Sequence, residues 1–309
     1  MKTEFFVYAS GNGTDKIHAV RYAPEEGAAR CVVQIIHGMA EHKERYEEFA
    51  RFLTERGYVV TAHDHPGHGG SVAEGGTYGY FGEKASAAVL VEDAYRLTQM
   101  TQSLYPGVPF VILGHSMGSL VLRNYLFRYG TGIDGAIIMG TAMHPKVLVR
   151  TAKVLAATQK AFFGARHVSK FMDRLVFGAY NKKVKQKRTA VDWLTGDAEC
   201  VDRYLADPLC GFTFTVNGFA VLFELLDHSA RPENLAKMPK ELPLYIVSGE
   251  EDPVGDYGRA VKRTYDSLKR AGMQDVTLKL YAGDRHEVLN ETDKAIVMQD
   301  IYDWIQKKI

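Results

Sequence analysis

Gly114-His115-Ser116-Met117-Gly118 is the stretch of sequence that decides the fold. It follows a short apolar run, Phe110–Leu113, that predicts a buried strand, and it leads into a helical pattern, Ser119–Tyr129. A serine flanked by glycines at such a junction predicts a tight turn, because glycine lacks the Cβ that would hold the crossing strand and helix apart. The turn would raise the Ser116 hydroxyl above the sheet, beside the free N–H groups of the helix N-terminus.

Strand and helix patterns alternate on both sides of this turn. The predicted strands are Phe5–Ala9, Ile17–Tyr22, Cys31–Ile36, Tyr58–Ala62, Phe110–Leu113, Gly135–Met139, Leu244–Ser248 and Val276–Tyr281. The predicted helices of this part are Tyr46–Arg56, Ala85–Tyr105, Leu120–Tyr129, Tyr257–Ala271 and Thr292–Lys307. This alternation predicts an α/β fold with a mostly parallel, doubly wound sheet of about eight strands.

The alternation stops from about Thr141 to Arg231, where the sequence has only helical patterns, and it resumes at Leu244. We therefore expect a helical insertion between two halves of one sheet. The predicted core consists of residues 1–141 and 236–309, and the predicted helical cap consists of residues 142–235.

Composition excludes several classes of function. The formal net charge is +1 over 309 residues, so no overall field favours nucleic acid as a partner. Three cysteines without regular spacing, Cys31, Cys200 and Cys210, predict free thiols rather than a disulfide framework or a zinc site. The N-terminus lacks a signal-peptide pattern, and no apolar run approaches the roughly 18 residues that span a bilayer. We expect a soluble cytoplasmic protein.

Ser116 requires a general base and an orienting carboxylate before it can act as a nucleophile. In folds with this turn the chain order is serine, then acid, then histidine, on loops that follow late strands. His286 is the only histidine after residue 240, and it follows the last predicted strand. Asp252 follows the strand before it, and Pro253 removes a competing N–H donor there. These residues are the predicted catalytic triad.

Three other carboxylates lie near these positions in the sequence. Glu250 and Glu251 directly precede Asp252, and we interpret them as solvated loop charges. Asp284, two residues before His286, is expected to shape the loop of the histidine.

Acyl transfer also requires two N–H donors for the developing oxyanion. The residue after the nucleophile, Met117, supplies one backbone N–H. The loop after the Cys31–Ile36 strand should supply the other, and Met39 is the predicted donor. Both side chains would then be free to line an acyl pocket.

Five segments resemble the motifs of the monoacylglycerol lipase and lysophospholipase group of α/β-hydrolases, which are similar to serine aminopeptidases of the S33 type. These segments are His37–His42 with Arg45-Tyr46, Asp64–Ser71, Gly114–Gly118, Gly249–Val254 and Arg285–Glu291. Ser119 departs from the pattern, since the group has a further glycine there. The resemblance spans both sides of the insertion and implies the α/β-hydrolase fold with its cap.

The resemblance further implies a serine carboxylic-ester hydrolase that needs no metal and no organic cofactor. Its substrate would be a single-chain lipid ester, a monoacylglycerol or lysophospholipid, cleaved through an acyl-Ser116 intermediate. The group also includes general short-chain esterases and aminopeptidase-like hydrolases, and these remain the alternative. An aminopeptidase would need carboxylates for the substrate amine, for which Glu199, Asp202 and Glu224 are available. A non-catalytic ligand-binding protein of this fold, the remote alternative, typically lacks a member of the triad.

The predicted cap contains two apolar stretches, one around residues 162–177 and one around residues 212–226. From the second we select Phe212, Phe219 and Phe223 as substrate-binding residues. A basic run, residues 182–188, could be a solvated face or could hold the cap against a membrane or micelle in transient contacts. His65 and His68 lack the neighbours of a metal site and are expected to form loop hydrogen bonds. The sequence does not indicate an oligomeric state.

Overall fold

The computed structural model describes the whole chain, residues 1–309, and contains one eight-stranded sheet. The strands are β1 (Lys2–Ala9), β2 (Lys16–Ala23), β3 (Cys31–Ile36), β4 (Tyr58–His63), β5 (Phe110–His115), β6 (Gly135–Met139), β7 (Leu244–Gly249) and β8 (Val276–Tyr281). Their order across the sheet is β1-β2-β4-β3-β5-β6-β7-β8. The β1–β2 and β2–β4 pairs are antiparallel, and the others are parallel. The predicted α/β class and the mostly parallel sheet are confirmed.

The central strands are buried along their whole length because helices cover both faces of the sheet. The helices that flank the sheet are α1 (Glu47–Thr54), α2 (Ala87–Leu104), α3 (Met117–Tyr129), α9 (Arg259–Arg270) and α10 (Lys294–Lys308). Val33, Val60 and Val111 are register partners and pack toward α1 and α10. The alternate residues Val32, Val59 and Phe110 pack toward α2 and α3. Two apolar layers therefore hold the sheet.

Between β6 and β7 the chain contributes no strand to the sheet. This stretch forms the helices α4 (Lys146–Phe163), α5 (Lys170–Phe177), α6 (Ala198–Ala206), α7 (Val216–Ser229) and α8 (Pro232–Leu235). We call residues 142–235 the cap region. Helix α7 packs against α3 and α4, and its buried residues Phe219, Phe223 and Leu225 join the apolar layer of the core.

The side chain of Arg123 ties α3 to the cap region. It is fully buried and donates to the carbonyl oxygens of Ala142 (3.0 Å) and Ser229 (3.0 Å). Both acceptors lie near the ends of the cap region, so one core side chain holds its entry and its exit.

Two further observations concern membrane-spanning helices and cysteines. None of the helices is both long enough and apolar enough to cross a lipid bilayer. All three cysteines are free thiols; Cys31 and Cys200 are buried, and Cys210 is half-buried.

Candidate active site

Ser116 lies at the junction of β5 and α3 in a backbone conformation that L-amino acids rarely adopt, with φ 53° and ψ −118°. Its N–H donates to the carbonyl oxygen of Met139 (2.9 Å), which fixes the turn to the neighbouring strand β6. A Cβ on Gly114 would lie 2.5 Å from the carbonyl oxygen of Gly118, and a Cβ on Gly118 would lie 2.0 Å from that of Ile36. The two glycines are therefore required by backbone contact.

His286 and Asp252 are brought together by the loops after β8 and β7. The Nδ1 of His286 lies 3.0 Å from Oδ2 of Asp252, and both residues are buried. Because the carboxylate accepts at Nδ1, the proton lies there and Nε2 is left as the basic nitrogen. Burial would raise the pKa of Asp252, but the charge and hydrogen bond of His286 and the donors Val254 N–H and Ser248 hydroxyl hold it below its usual value.

Ser116 and His286 line the same cavity. No hydrogen bond joins the Ser116 hydroxyl to His286 in this structure, and the rings of His286 and His115 both lie against Gly140, which follows β6. A Cβ on Gly140 would lie 3.1 Å from Cε1 of His286, and the φ of 59° lies in the left-handed region that favours glycine. Hydrogen bonds between catalytic groups are commonly long in unliganded enzymes and shorten when substrate is bound.

The neighbouring carboxylates take other positions. Glu250 and Glu251 are exposed. Asp284 is buried, and its Oδ2 has no hydrogen-bond partner. The side chain forms no hydrogen bond with the ring of His286. Burial and the nearby carboxylates of Glu291 and Asp293 raise the pKa of Asp284 to about 7.

The loop Gly38–His42, which we call the oxyanion loop after its predicted role, runs beside Ser116. A Cβ on Gly38 would lie 3.0 Å from the Cβ of Ser116. The Met39 N–H has no partner among the backbone hydrogen bonds of the loops, and Met117 is the first residue of α3, where an N–H has no intrahelical acceptor. The two predicted oxyanion donors thus have free N–H groups, and both residues line the same cavity as Ser116.

A buried network of charges holds the oxyanion loop to the histidine loop. Arg45 donates to both carboxylate oxygens of Glu287 (2.7 and 2.7 Å) and to Glu41 (2.8 Å). Glu41 also accepts from the Gly38 N–H (2.5 Å) and contacts Nδ1 of His115 (3.1 Å). Burial opposes the ionisation of Glu41, but the hydrogen bond from His115 and the charge of Arg45 keep its pKa well below the usual value. Glu41 and Arg45 therefore brace the loops around the site.

The histidines that follow β4 form loop hydrogen bonds. His65 Nε2 lies 3.1 Å from the carbonyl oxygen of His37, and His68 Nδ1 lies 3.1 Å from that of Pro66. Burial lowers the pKa of His65 to about 4 and that of His68 to about 3, so both rings are neutral near pH 7.

One group of side chains has the composition of a metal site. The ligand atoms of His42, Asp207 and Cys210 lie within 4.8 Å of one another. Both ring nitrogens of His42 are already bonded to carboxylates, Nδ1 to Glu44 (2.7 Å) and Nε2 to Asp207 (2.8 Å). The arrangement is that of a hydrogen-bonded link between the oxyanion loop and the cap region.

A cavity of about 560 Å³ opens above Ser116, and 19 of its 31 lining residues are hydrophobic. Of the substrate-binding residues chosen from the sequence, Phe212 and Phe223 line this cavity. Phe219 does not; it is fully buried and packs between Phe214 and Phe223. The sequence pattern could not separate them because Phe219 and Phe223 lie one turn apart on the same helix.

The carboxylates considered for binding an amine lie outside the cavity. Glu199 and Asp202 are exposed on α6, and Asp202 pairs with Arg188 (2.8 Å). Glu224 accepts from the Ala87 N–H (2.9 Å), at the start of α2.

Trp193 of the cap region is a site residue that the sequence reasoning missed. Its ring lies 5.3 Å from that of His286 and lines the cavity. Hydrogen bonds to the backbone beside it place it there, since the Glu287 N–H donates to Leu194 O (2.7 Å) and the Arg285 guanidinium donates to Thr195 O (2.9 Å). No motif marks this tryptophan, because only the folded cap region brings residue 193 to residue 286.

Comparison with known proteins agrees with this geometry. The family model described as serine aminopeptidase, S33, matches residues 27–293. The chain belongs to this family of hydrolases. The α/β-hydrolase fold and the resemblance to the monoacylglycerol lipase group are confirmed.

Several relatives of this S33-family hydrolase are lipases or esterases. A monoacylglycerol lipase of Mycolicibacterium smegmatis is 30% identical over 281 residues, which cover 89% of this chain and 88% of the relative. A monoglyceride lipase of Mus musculus is 29% identical, with 94% and 86% covered. Among solved structures, a thermostable carboxyl esterase from Bacillus coagulans in complex with glycerol superposes with a TM-score of 0.92, 29% identity and coverage of 100% and 99%.

Proposed function

We propose that this enzyme hydrolyses carboxylic esters of single-chain lipids, monoacylglycerols or lysophospholipids, with Ser116 as the nucleophile. The observation that carries the proposal is the position of Ser116: it lies in a strained turn beneath a largely apolar cavity, and His286, bonded to Asp252, lines that cavity. The lipase relatives support the same class of substrate. No organic cofactor or metal is required, because the chain itself has a nucleophile, a base and oxyanion donors.

Acylation uses the groups on both sides of the cavity floor. Nε2 of His286 takes the proton of the Ser116 hydroxyl as Oγ attacks the ester carbonyl carbon. The carbonyl oxygen becomes an oxyanion that accepts from the N–H groups of Met39 and Met117. The tetrahedral intermediate collapses when His286 gives its proton to the alcohol, which leaves as glycerol or the headgroup alcohol, and acyl-Ser116 remains.

Deacylation repeats the same proton transfers with water. His286 accepts a proton from water as the water oxygen attacks the acyl carbon, and the same N–H groups hold the oxyanion. Collapse returns the proton to Oγ of Ser116 and releases the fatty acid. Asp252 stays ionised throughout, which agrees with its lowered pKa, and it stabilises the imidazolium form of His286.

The cavity supports a long acyl group as the preferred substrate part. Its volume of about 560 Å³ falls in the range of small-molecule sites, and most of the wall is aliphatic or aromatic. Phe212, Phe223 and Leu226 of the cap region contribute to this wall. We therefore assign residues 142–235 as the cap that selects the substrate and residues 1–141 and 236–309 as the catalytic core.

A panel of esters tests the proposal. We expect kcat/KM to rise from acetyl and butyryl esters to long-chain monoacylglycerols or lysophospholipids, and we expect Ser116→Ala to lack activity on all of them. Preference for acetyl or butyryl esters would contradict the lipid assignment and favour a general esterase. Cleavage of aminoacyl amides without ester hydrolysis would favour the aminopeptidase alternative.

We further propose that helices α4 and α5 contact lipid surfaces transiently. They expose large apolar side chains to solvent: Val147, Leu148, Val154, Phe162, Phe163, Phe171 and Leu175. Helix α4 has four basic residues and no acidic one, which favours anionic lipid. An apolar face beside basic side chains next to the cavity would allow a single-chain lipid to enter from a membrane or micelle.

The double variant Phe162→Ser/Phe163→Ser tests the lipid contact. We expect several-fold less sedimentation with phosphatidylcholine–phosphatidylglycerol vesicles and unchanged kcat/KM on a water-soluble ester. Phe5→Ser on β1, where the phenylalanine is also exposed, is the matched control and should bind vesicles like the wild type. Equal vesicle binding by all three proteins would refute this contact.

A further inference from the structure

Ala40, next to the oxyanion donor Met39, is held by the cap region. Its φ of 54° lies in the left-handed region, which residues other than glycine and asparagine rarely adopt. Its carbonyl oxygen accepts two hydrogen bonds from the cap region, from the Gly211 N–H (2.9 Å) and the Tyr204 hydroxyl (3.2 Å). Its N–H donates to Nε2 of His68 (3.3 Å) in the core. External contacts on both sides therefore hold this unfavourable backbone conformation.

A second contact lies two residues further along the oxyanion loop. Nε2 of His42 bonds to Oδ2 of Asp207 (2.8 Å), at the end of helix α6. His42 is buried and lies between Asp207 and Glu44, with Lys43 and Arg45 as its cationic neighbours in the chain. Burial would lower the pKa of His42, but its hydrogen bonds to Glu44 and Asp207 raise it. The hydrogen bond from His42 to Asp207 therefore links the loop to the cap region.

The segment of the cap region that makes these contacts is itself ordered. Oδ1 of Asp207 accepts from the Leu209 N–H (2.8 Å), and the Asp207 carbonyl oxygen accepts from the Cys210 N–H (3.1 Å). This turn presents the following N–H, that of Gly211, to the oxyanion loop. The guanidinium of Arg45 lies 4.9 Å from the ring centre of Tyr204, so the tyrosine is also fixed from the core side.

We propose that Asp207 and Tyr204 are positioning residues for the oxyanion loop. By holding His42 and Ala40 they keep the Met39 N–H directed at the reacting carbonyl, so the cap region must be seated on the core for fast acyl transfer. Neither residue touches the reacting atoms in this account; each acts through the backbone of the loop. The inference rests on the proposed function, since it requires the Met39 N–H to bind the oxyanion.

Asp207→Asn and Tyr204→Phe separate this role from general stability. Asparagine keeps the Oδ1 acceptor for Leu209 and removes the charge that faces His42. Phenylalanine keeps the ring of residue 204 and removes one hydrogen bond to Ala40. Asp202→Asn is the matched control, because Asp202 is an exposed acid on the same helix that pairs only within the cap region, with Arg188.

The experiment measures kcat and KM on a water-soluble ester and the Ki of an alkyl trifluoromethyl ketone, whose adduct with a serine places an oxyanion in the hole. Loss of one oxyanion donor costs about 10²–10³-fold in kcat, and a misplaced donor should cost less. We expect kcat to fall about 3-fold in each single variant and about 10-fold in the double variant, with KM within two-fold. The Ki should rise by the factor by which kcat/KM falls, and Asp202→Asn should match the wild type.

An unchanged kcat and Ki in the double variant would overturn the inference, and so would a rise in KM with kcat unchanged, which is the result of lost substrate binding alone. Tyr204→Phe, which is nearly isosteric, carries the test if Asp207→Asn does not fold. Different results would contradict the proposed function: a wild-type enzyme without esterase activity, or a Ser116→Ala variant that is active.

Discussion

Around Ser116 the backbone of one element touches the backbone of the next, whereas the cap region meets the catalytic loops through polar side chains, a few amides and the ring of Trp193. A Cβ at position 118 would lie 2.0 Å from the carbonyl oxygen of Ile36, so the turn has no space to move. By contrast, Asp207 joins the cap region to the core through one hydrogen bond, and Arg285 joins them through two. The turn at Ser116 is held by backbone packing, whereas the oxyanion and histidine loops are held by side-chain contacts from the core, such as those of Arg45, and from the cap region, such as those of Asp207.

The two regions also differ in where their apolar side chains go. The central strands bury every residue, but α4 and α5 turn phenylalanines toward solvent. Monomeric soluble proteins rarely leave large contiguous apolar patches exposed without a function. This difference fits the proposal that the core sets the chemistry and the cap region sets access to it, and the variants below test that division.

Substitution of glycine in the turn should have the largest effect. Gly118→Ala places a Cβ against backbone atoms of Ile36 and His37, which cannot move without displacing β3. We expect a loss of more than about 4 kcal/mol in the free energy of unfolding, or no folded protein, measured by denaturant titration. The control is Gly132→Ala, where nothing lies within 4 Å of the new Cβ. A folded, active Gly118→Ala enzyme would refute the rigid-packing account of the turn.

Removal of the acid tests the chemistry of the core without disturbing its packing. Asp252→Asn keeps the shape of the side chain but no longer favours the tautomer of His286 with the proton on Nδ1. We expect kcat to fall about 10³-fold or more, with KM little changed, in steady-state assays on a soluble ester. Glu251→Gln, one position earlier and exposed, should retain full activity. Full activity in Asp252→Asn together with a large fall of kcat in Glu251→Gln would identify Glu251 as the carboxylate of the triad.

Two phenylalanines of α7 allow the wall of the cavity to be distinguished from the packing behind it. Phe223→Ala enlarges the cavity wall, and we expect the ratio of long-chain to short-chain kcat/KM to change about 10-fold. Phe219→Ala lies behind the wall and should cost about 3–5 kcal/mol in stability while it leaves this ratio unchanged. An altered chain-length preference in Phe219→Ala alone would contradict the assignment of Phe223, and not Phe219, to the cavity wall.

The smallest effect concerns Asp284 in the histidine loop. Its pKa of about 7 in the folded protein lies above that of an unfolded aspartate, so its contribution to stability is present at low pH and is lost as pH rises through 7. In the Asp284→Asn variant this side chain cannot ionise, so the loss of stability with rising pH is removed. We expect Tm to rise by a few degrees at pH 8 and by less at pH 5 in thermal melts, with Asp303→Asn as the exposed control. An equal rise at both pH values would contradict the raised pKa.

Much of the fold follows from sequence pattern alone. All eight predicted strands are present. The central ones are marked by apolar runs, because strands buried on both faces leave continuous runs of valine and isoleucine, whereas β1 forms although most of it is exposed. The predicted triad residues could be chosen in the same way, since each follows an identifiable strand. Their positions in the structure agree with the roles assigned to them, and those roles stay predictions until a variant is assayed.

The cap region could not be derived in this way. Helical periodicity predicts an apolar face but not what covers it, so the exposure of Phe162 and Phe171 had no signal in the sequence. Trp193, Tyr204 and Asp207 carry no motif, because their partners lie far away in the chain. The left-handed backbone of Ala40 was also unexpected, since no glycine marks it.

The most direct test of the central claim is peptide mapping by mass spectrometry after reaction with a fluorophosphonate probe. The account predicts one adduct per chain, located on Ser116, and no adduct in the Ser116→Ala variant. An adduct on another residue, or labelling that persists in Ser116→Ala, would contradict it.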